Sequence, residues 1–131
     1  MPAPASYDYA VIRVVPRVER EEFINVGAVL FCPDQDYLCA RIELDEGRLR
    51  CLFPGADVAL IQEHLDAFRR TCAGGEAAGP IGLLPPRERW HWLVAPKNTI
   101  IQTSAPHSGL CADPEQALER ILDANVRAPR G

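Results

Sequence analysis

The sequence predicts an α+β fold, a mainly antiparallel sheet of about four strands with two or three helices packed on one face. Three observations lead there. Strand-like apolar segments come first and are joined by short connections. Apolar residues then recur at helical spacing between capping residues. One further β-branched segment lies between the helical stretches. Strands early and helices late is the pattern of a layered α+β domain.

The first strand is "YDYAVIRVV" (7–15), with Ala10, Ile12 and Val14 on one side and Tyr9, Val11, Arg13 and Val15 on the other. Pro16 ends it, because proline cannot donate to a ladder. The second, "VGAVLFC" (26–32), is apolar on both faces. A central position follows, with both sides covered, or one side covered and the other at an interface. Ahead of it, Phe23 and Ile24 read as core anchors. Gly27 inside this pattern marks a bulge or a close backbone approach. A Pro/Asp-rich hairpin connection leads to "YLCARIEL" (37–44). Leu38, Ala40, Ile42 and Leu44 make its core face; Tyr37, Cys39, Arg41 and Glu43 make the other.

The segment 46–57 reads as a connection with one helical turn. The clearest helix follows, with Val58, Ile61, Leu65, Phe68 and Cys72 in one stripe, Asp57 as N-cap and Gly74 as stop. "AGGEAAGP" (73–80) reads as a flexible linker. "PPRERWHWLVAP" alternates like a strand, yet Pro86 before Arg-Glu-Arg starts a helix, and a short helix is favoured. "NTIIQTS" (98–104) is the fourth strand. The last helix starts with Asp113 as cap, Pro114 at the first helical position and Gln116 completing a capping box. Leu118, Ile121, Leu122 and Val126 form its buried edge.

A chain of 131 residues suits one domain. Residues 7–125 are assigned to it, with flexible tails at 1–6 and 126–131. The net charge is −4 and the only lysine is Lys97, so no nucleic-acid partner is expected. Five cysteines at irregular spacings, without a CxxC pair, fit free thiols in a reducing compartment. No signal sequence and no membrane span are read, so a cytoplasmic protein is expected.

No catalytic motif stands out, and neither a cofactor nor a metal is expected. His107, in the stretch "SAPHSGLC", is the most site-like histidine, with Ser104, Ser108 and Cys111 beside it. Nucleophilic catalysis needs one of these to face a base that is itself oriented, which spacing does not establish. Arg13 and Arg41 each sit on the less apolar face of a strand. They either converge as an anion or partner site, or pair with acidic neighbours such as Glu43. Asn25 lies at the mouth of the second strand, where its side chain suits a turn or a site.

"YAVIRVVPRVEREEFINVGAVLFCP" carries a pattern of Tyr9, Arg13, Pro16, Arg20, Glu22, Phe23, Asn25, Val26 and Gly27 running into "AVLF". Two further blocks are "RLRCLFPGADVALIQEHL" and "APKNTIIQTSAPHSGLCADPEQALERIL". Together they resemble a bacterial family, domain of unknown function 3037. In the third block Lys97-Asn98 stands where the family pattern has Arg-Ser. The resemblance implies a bacterial cytoplasmic protein without an assigned activity, accompanying a kinase-like protein of the HipA type.

Two functions are expected on these grounds. One is a small accessory or interaction protein, with a HipA-like kinase or a second copy as partner. The other is a small-ligand or phosphate-binding protein, or an enzyme, using the polar ends of the sheet. The candidate ligand- or partner-binding residues are Arg13, Glu22, Asn25, Gly27, Arg41, Gln102, Ser104 and His107.

Overall fold

The computed structural model describes residues 4–97 and 99–128. The elements run β1 (Ala5–Val14), β2 (Ile24–Cys32), β3 (Tyr37–Ile42), α1 (Glu46–Leu52), α2 (Val58–Ala73), α3 (Pro86–Val94), β4 (Ile101–Thr103), β5 (His107–Cys111) and α4 (Pro114–Asn125). This is the expected α+β arrangement, and every strand pairing is antiparallel. Among the described residues there are five strands and four α-helices, one more of each than the upper sequence expectation.

β1 is the hub of the sheet. Its one edge carries β2 and then β3. Its other edge is shared, with β5 against Ala5 to Tyr9 and β4 against Ile12 to Val14. β5 is the strand the sequence pattern missed. His107, Ser108 and Leu110 are exposed, so no apolar alternation marks it. Backbone pairing with β1 forms it instead. Its Gly109 lies under the Tyr7 ring, where a Cβ would stand 3.0 Å from Tyr7 Cε1.

β2 contains a bulge. Ile12 is opposite Gly27, but Arg13 is opposite Asn25, so Val26 is an extra residue. The bulge changes which parity faces which layer. Ile24 and Val26 face the same core as Val29 and Phe31. Gly27 is required here on a second count. A Cβ would overlap the Arg41 carbonyl oxygen of β3 and stand 3.1 Å from Ile42 Cα. Both sequence readings of Gly27, bulge and close approach, therefore hold.

The sheet is covered on both faces, which corrects the expectation of helices on one. On the front face, Ile12, Val14, Val29 and Phe31 pack with α1, α2 and α3 through Leu49, Leu65, Trp90 and Leu93. Phe31 and Trp90 stack at 6.0 Å between centroids. On the back face, Ala28, Leu30 and Cys32 pack with α4 through Ala117, Leu118 and Leu122. The doubly apolar β2 is thus central, and its second face is covered by this chain's own last helix rather than by a partner.

Caps explain where the helices begin and end. Asp45, Asp57 and Asp113 accept from the amides of Arg48, Leu60 and Glu115 at 3.0, 3.1 and 3.0 Å. Gly74 stops α2 with φ 82°. α3 ends at Val94, and Lys97 beyond it caps the end, its Nζ donating to the carbonyls of Trp92, Leu93 and Ala95. Burial lowers the pKa of this ammonium from its ordinary value.

Three boundary expectations change. β1 begins at Ala5, so the stretch read as an N-terminal tail already contributes to the sheet; residues 1–3 lie outside the described residues. At the other end Val126 is buried and Arg127 is bonded to Glu43, so the domain continues past 125; residues 129–131 lie outside the described residues. The stretch read as a linker is a closed loop of two 3-10 turns, with the Gly75 amide donating to the Gly82 carbonyl at 2.8 Å. Asn98, the other half of the Lys97-Asn98 pair, lies outside the described residues.

Candidate partner-binding site at one end of the sheet

Three of the eight sequence candidates meet. Arg13 on β1 is in register with Asn25 on β2 and Gln102 on β4, making one polar row across the back face. The bulge at Val26 is what puts Asn25 opposite Arg13. The Asn25 amide nitrogen donates to the Asn125 carbonyl at the end of α4, at 3.0 Å. The Arg13 guanidinium lies 4.1 Å from the centroid of the Phe23 ring, a cation–π contact. Phe23 is therefore not the core anchor expected of it; it is 42% exposed, while Ile24 is buried. Arg13 Nε and Asn25 Oδ1 are buried without a hydrogen-bond partner.

The others do not join this row. Arg41 is held by Glu115 and Glu119 of α4, so the pairing alternative wins, with the helix supplying the carboxylates instead of Glu43. Burial works to lower the Arg41 pKa, but the two glutamates outweigh it and raise it. Glu43 bonds Arg127 at 2.7 Å, and that hydrogen bond lowers the Glu43 pKa. Arg127 also reaches Glu119 and Asp123, and the three carboxylates raise its pKa. Glu22 is paired with Arg20. Gly27 serves backbone packing.

Ser104 is buried and repairs the sheet where β4 gives way to β5. Its amide donates to the Val11 carbonyl, and its Oγ accepts from the Val11 amide, each at 2.9 Å. His107 is on β5 opposite Tyr9, with ring centroids 5.3 Å apart. Tyr9 and Arg13 are four residues apart on one strand, about 13 Å at the usual rise. His107 and Asn25 thus occupy separate regions of the back face. The hydroxyl and thiol neighbours of His107 are engaged elsewhere. Ser108 Oγ donates to the Asp8 carboxylate at 2.6 Å, and Cys111 is buried against α4.

The end of the sheet itself carries a surface the sequence reading did not single out. The β1–β2 connection and the α1–α2 connection enclose a groove of about 370 Å³, with Arg17 and Arg20 on one wall and Leu52, Phe53, Leu60 and Ile61 on the floor and opposite wall. A second groove of about 750 Å³ adjoins it across Leu52 and runs past Cys51 and Arg48 to Phe23. Phe23, Leu52 and Leu60 are 42%, 42% and 43% exposed. Together the grooves form an apolar trough, and Phe23 links it to the Arg13 row. One signal was available in the sequence. Leu60 lies in the first turn of α2 but off its apolar stripe, so the helix itself gives it no core to enter.

A family described as "Protein of unknown function (DUF3037)" has a profile that matches residues 9–126. The chain belongs to this family. The match spans β1 to the end of α4, so it takes in the sheet, both helical layers and the trough. Among curated proteins and solved structures, nothing matches the chain. No helix among the described residues is long and apolar enough to cross a membrane.

Proposed function

We propose that this DUF3037 protein is a small bacterial accessory protein that binds a protein partner along the trough at the sheet end. The observation that carries this is the clustering of Phe23, Leu52 and Leu60, each more than two-fifths exposed, along two adjoining grooves. Leu83, Trp92 and Leu110 are exposed as well but line neither groove, and each face of the sheet is packed by the chain's own helices. Contiguous exposed apolar surface of this kind marks interaction sites. The partner suggested by the family resemblance is a HipA-like kinase. Five free cysteines support a reducing, cytoplasmic setting.

The test is co-expression with the HipA-like kinase encoded nearest its gene, followed by size-exclusion chromatography with light scattering. A complex is expected with the natural chain and none with the Leu52→Glu, Leu60→Glu double variant. A complex that forms equally well with the variant would remove the trough from the account. Failure to bind any such kinase, with the protein running as a dimer that the same variant dissociates, would move the partner to a second copy.

A second reading rests on the unpartnered Arg13 Nε and Asn25 Oδ1, a donor and an acceptor on residues paired across β1 and β2 that a small polar ligand would satisfy. A thermal-shift screen with phosphorylated metabolites tests it, since a ligand raises the melting temperature by mass action. A shift abolished by Arg13→Met supports this reading, and a flat screen removes it.

A further inference from the structure

We infer that the trough selects an acidic partner segment, one that lays a large apolar side chain on the Leu52–Leu60 floor and sets a carboxylate against Arg17. This deepens the partner-binding reading and rests on it.

The inference comes from which charges at the first groove are already committed. Arg20 is paired with Glu22. Asp57 is turned to the Leu60 amide as the cap of α2. In the second groove Asp45 caps α1, and Arg48 donates to the Val126 carbonyl at 2.9 Å. Arg17 is exposed and makes no ion pair or side-chain hydrogen bond among the described residues. It is the uncommitted charge on a wall whose floor is apolar. A guanidinium beside an apolar floor favours a carboxylate flanked by a hydrophobic group.

The polarity of the trough gives the segment a direction. Its acidic group belongs at the Arg17 end, and its apolar residues continue past Leu52 toward Cys51 and Phe23. A small metabolite would fill one groove and leave Phe23 uncovered; a peptide of several residues spans both. The chain as a whole is acidic at −4, so its long-range field does not attract such a segment. Recognition is therefore short-ranged and concentrated at Arg17.

The experiment is to pan a displayed random-peptide library against the full chain. The peptide most enriched is then labelled with fluorescein, and its affinity is measured by polarisation. Enriched peptides are expected to carry Asp or Glu within a few residues of a large apolar side chain. Arg17→Glu is expected to weaken the acidic peptide about tenfold and to strengthen a counterpart with Lys in place of the acid. Arg17 is exposed, so the variant should melt like the natural chain, which keeps the comparison free of folding effects. Basic or uncharged consensus peptides, an affinity indifferent to Arg17→Glu, or no enrichment at all would overturn the inference. Peptides whose binding survives Leu52→Glu with Leu60→Glu would instead overturn the trough as the partner site, so the two failures are distinguishable.

Discussion

The two faces of this sheet are covered by different physics. On the front, three helices close over Ile12, Val14, Val29 and Phe31, and nearly every contact is apolar. On the back, a single helix covers part of the sheet, with an apolar centre around Leu118 and Leu122 and a charged flank. That flank ties α4 to β3 through Arg41, Glu43, Glu115, Glu119 and Arg127. Tyr37 adds a bond from its hydroxyl to Glu115 at 2.9 Å. A thick apolar layer needs no particular orientation. A lone helix on a sheet has few ridges to fix its direction, and paired charges at its flank supply a register. The lesson is that one sheet can be closed by bulk on one side and by tethering on the other.

The largest effects should come from the apolar centres. Leu65 in front and Leu118 behind are both fully buried. Truncating either to alanine should cost about 3 kcal/mol in urea unfolding. Equal losses would show that α4 packs as firmly as the front layer. A Leu118→Ala loss below about 1 kcal/mol would show that the flank, rather than the core, holds the back face.

Gly27→Ala comes next, at about 2 kcal/mol, since the added methyl meets backbone of β3 and not a side chain that can swing away. A neutral outcome would mean that β3 can draw back and that the close approach does not require glycine here. Ser104→Ala should cost about 1–2 kcal/mol by leaving the buried Val11 amide without its acceptor. Ser104→Thr, which keeps the hydroxyl, should recover part of that loss. Failure of the alanine variant to destabilise would show that β1 does not need this repair.

The smallest effect concerns the charged flank. Glu43 has a pKa lowered by its hydrogen bond to Arg127, so its contribution is present above the ordinary glutamate value and is lost as pH falls through the lowered one. The stability difference between the natural chain and Glu43→Gln should therefore be measurable at about pH 7 and shrink as the pH falls below the ordinary glutamate range. High salt should also shrink it, because this pair is partly exposed. A difference that persists at low pH would show that Glu43 acts through packing instead of charge.

Much of the fold was legible because it is written in short-range chemistry. Asp57, Asp113, Pro114 and Gly74 announce helix ends wherever the chain goes, and the stripe of α2 announces its buried side. β2, apolar on both faces, announced its central place. β5 was not legible, because a strand held by backbone pairing to β1 needs no pattern of its own. The convergence of Arg13, Asn25 and Gln102 was half legible. The three residues were among the candidates, but their register depends on one extra residue, Val26. Arg41 and His107 were placed with them because both are polar residues on or near strands, and sequence does not reveal which row of the sheet each one enters.

The sequence by itself determined the α+β class, the family, the capped helices and the need for glycine at 27. Those follow from local propensity, spacing and the bulk of single side chains. Only the tertiary structure decided that α4 crosses to the back of the sheet, that Arg41 is spent on tethering it, and that Leu52, Leu60 and Phe23 share one trough. Each of these depends on which distant segments are brought together, and that is set by how the layers pack rather than by any one segment's composition.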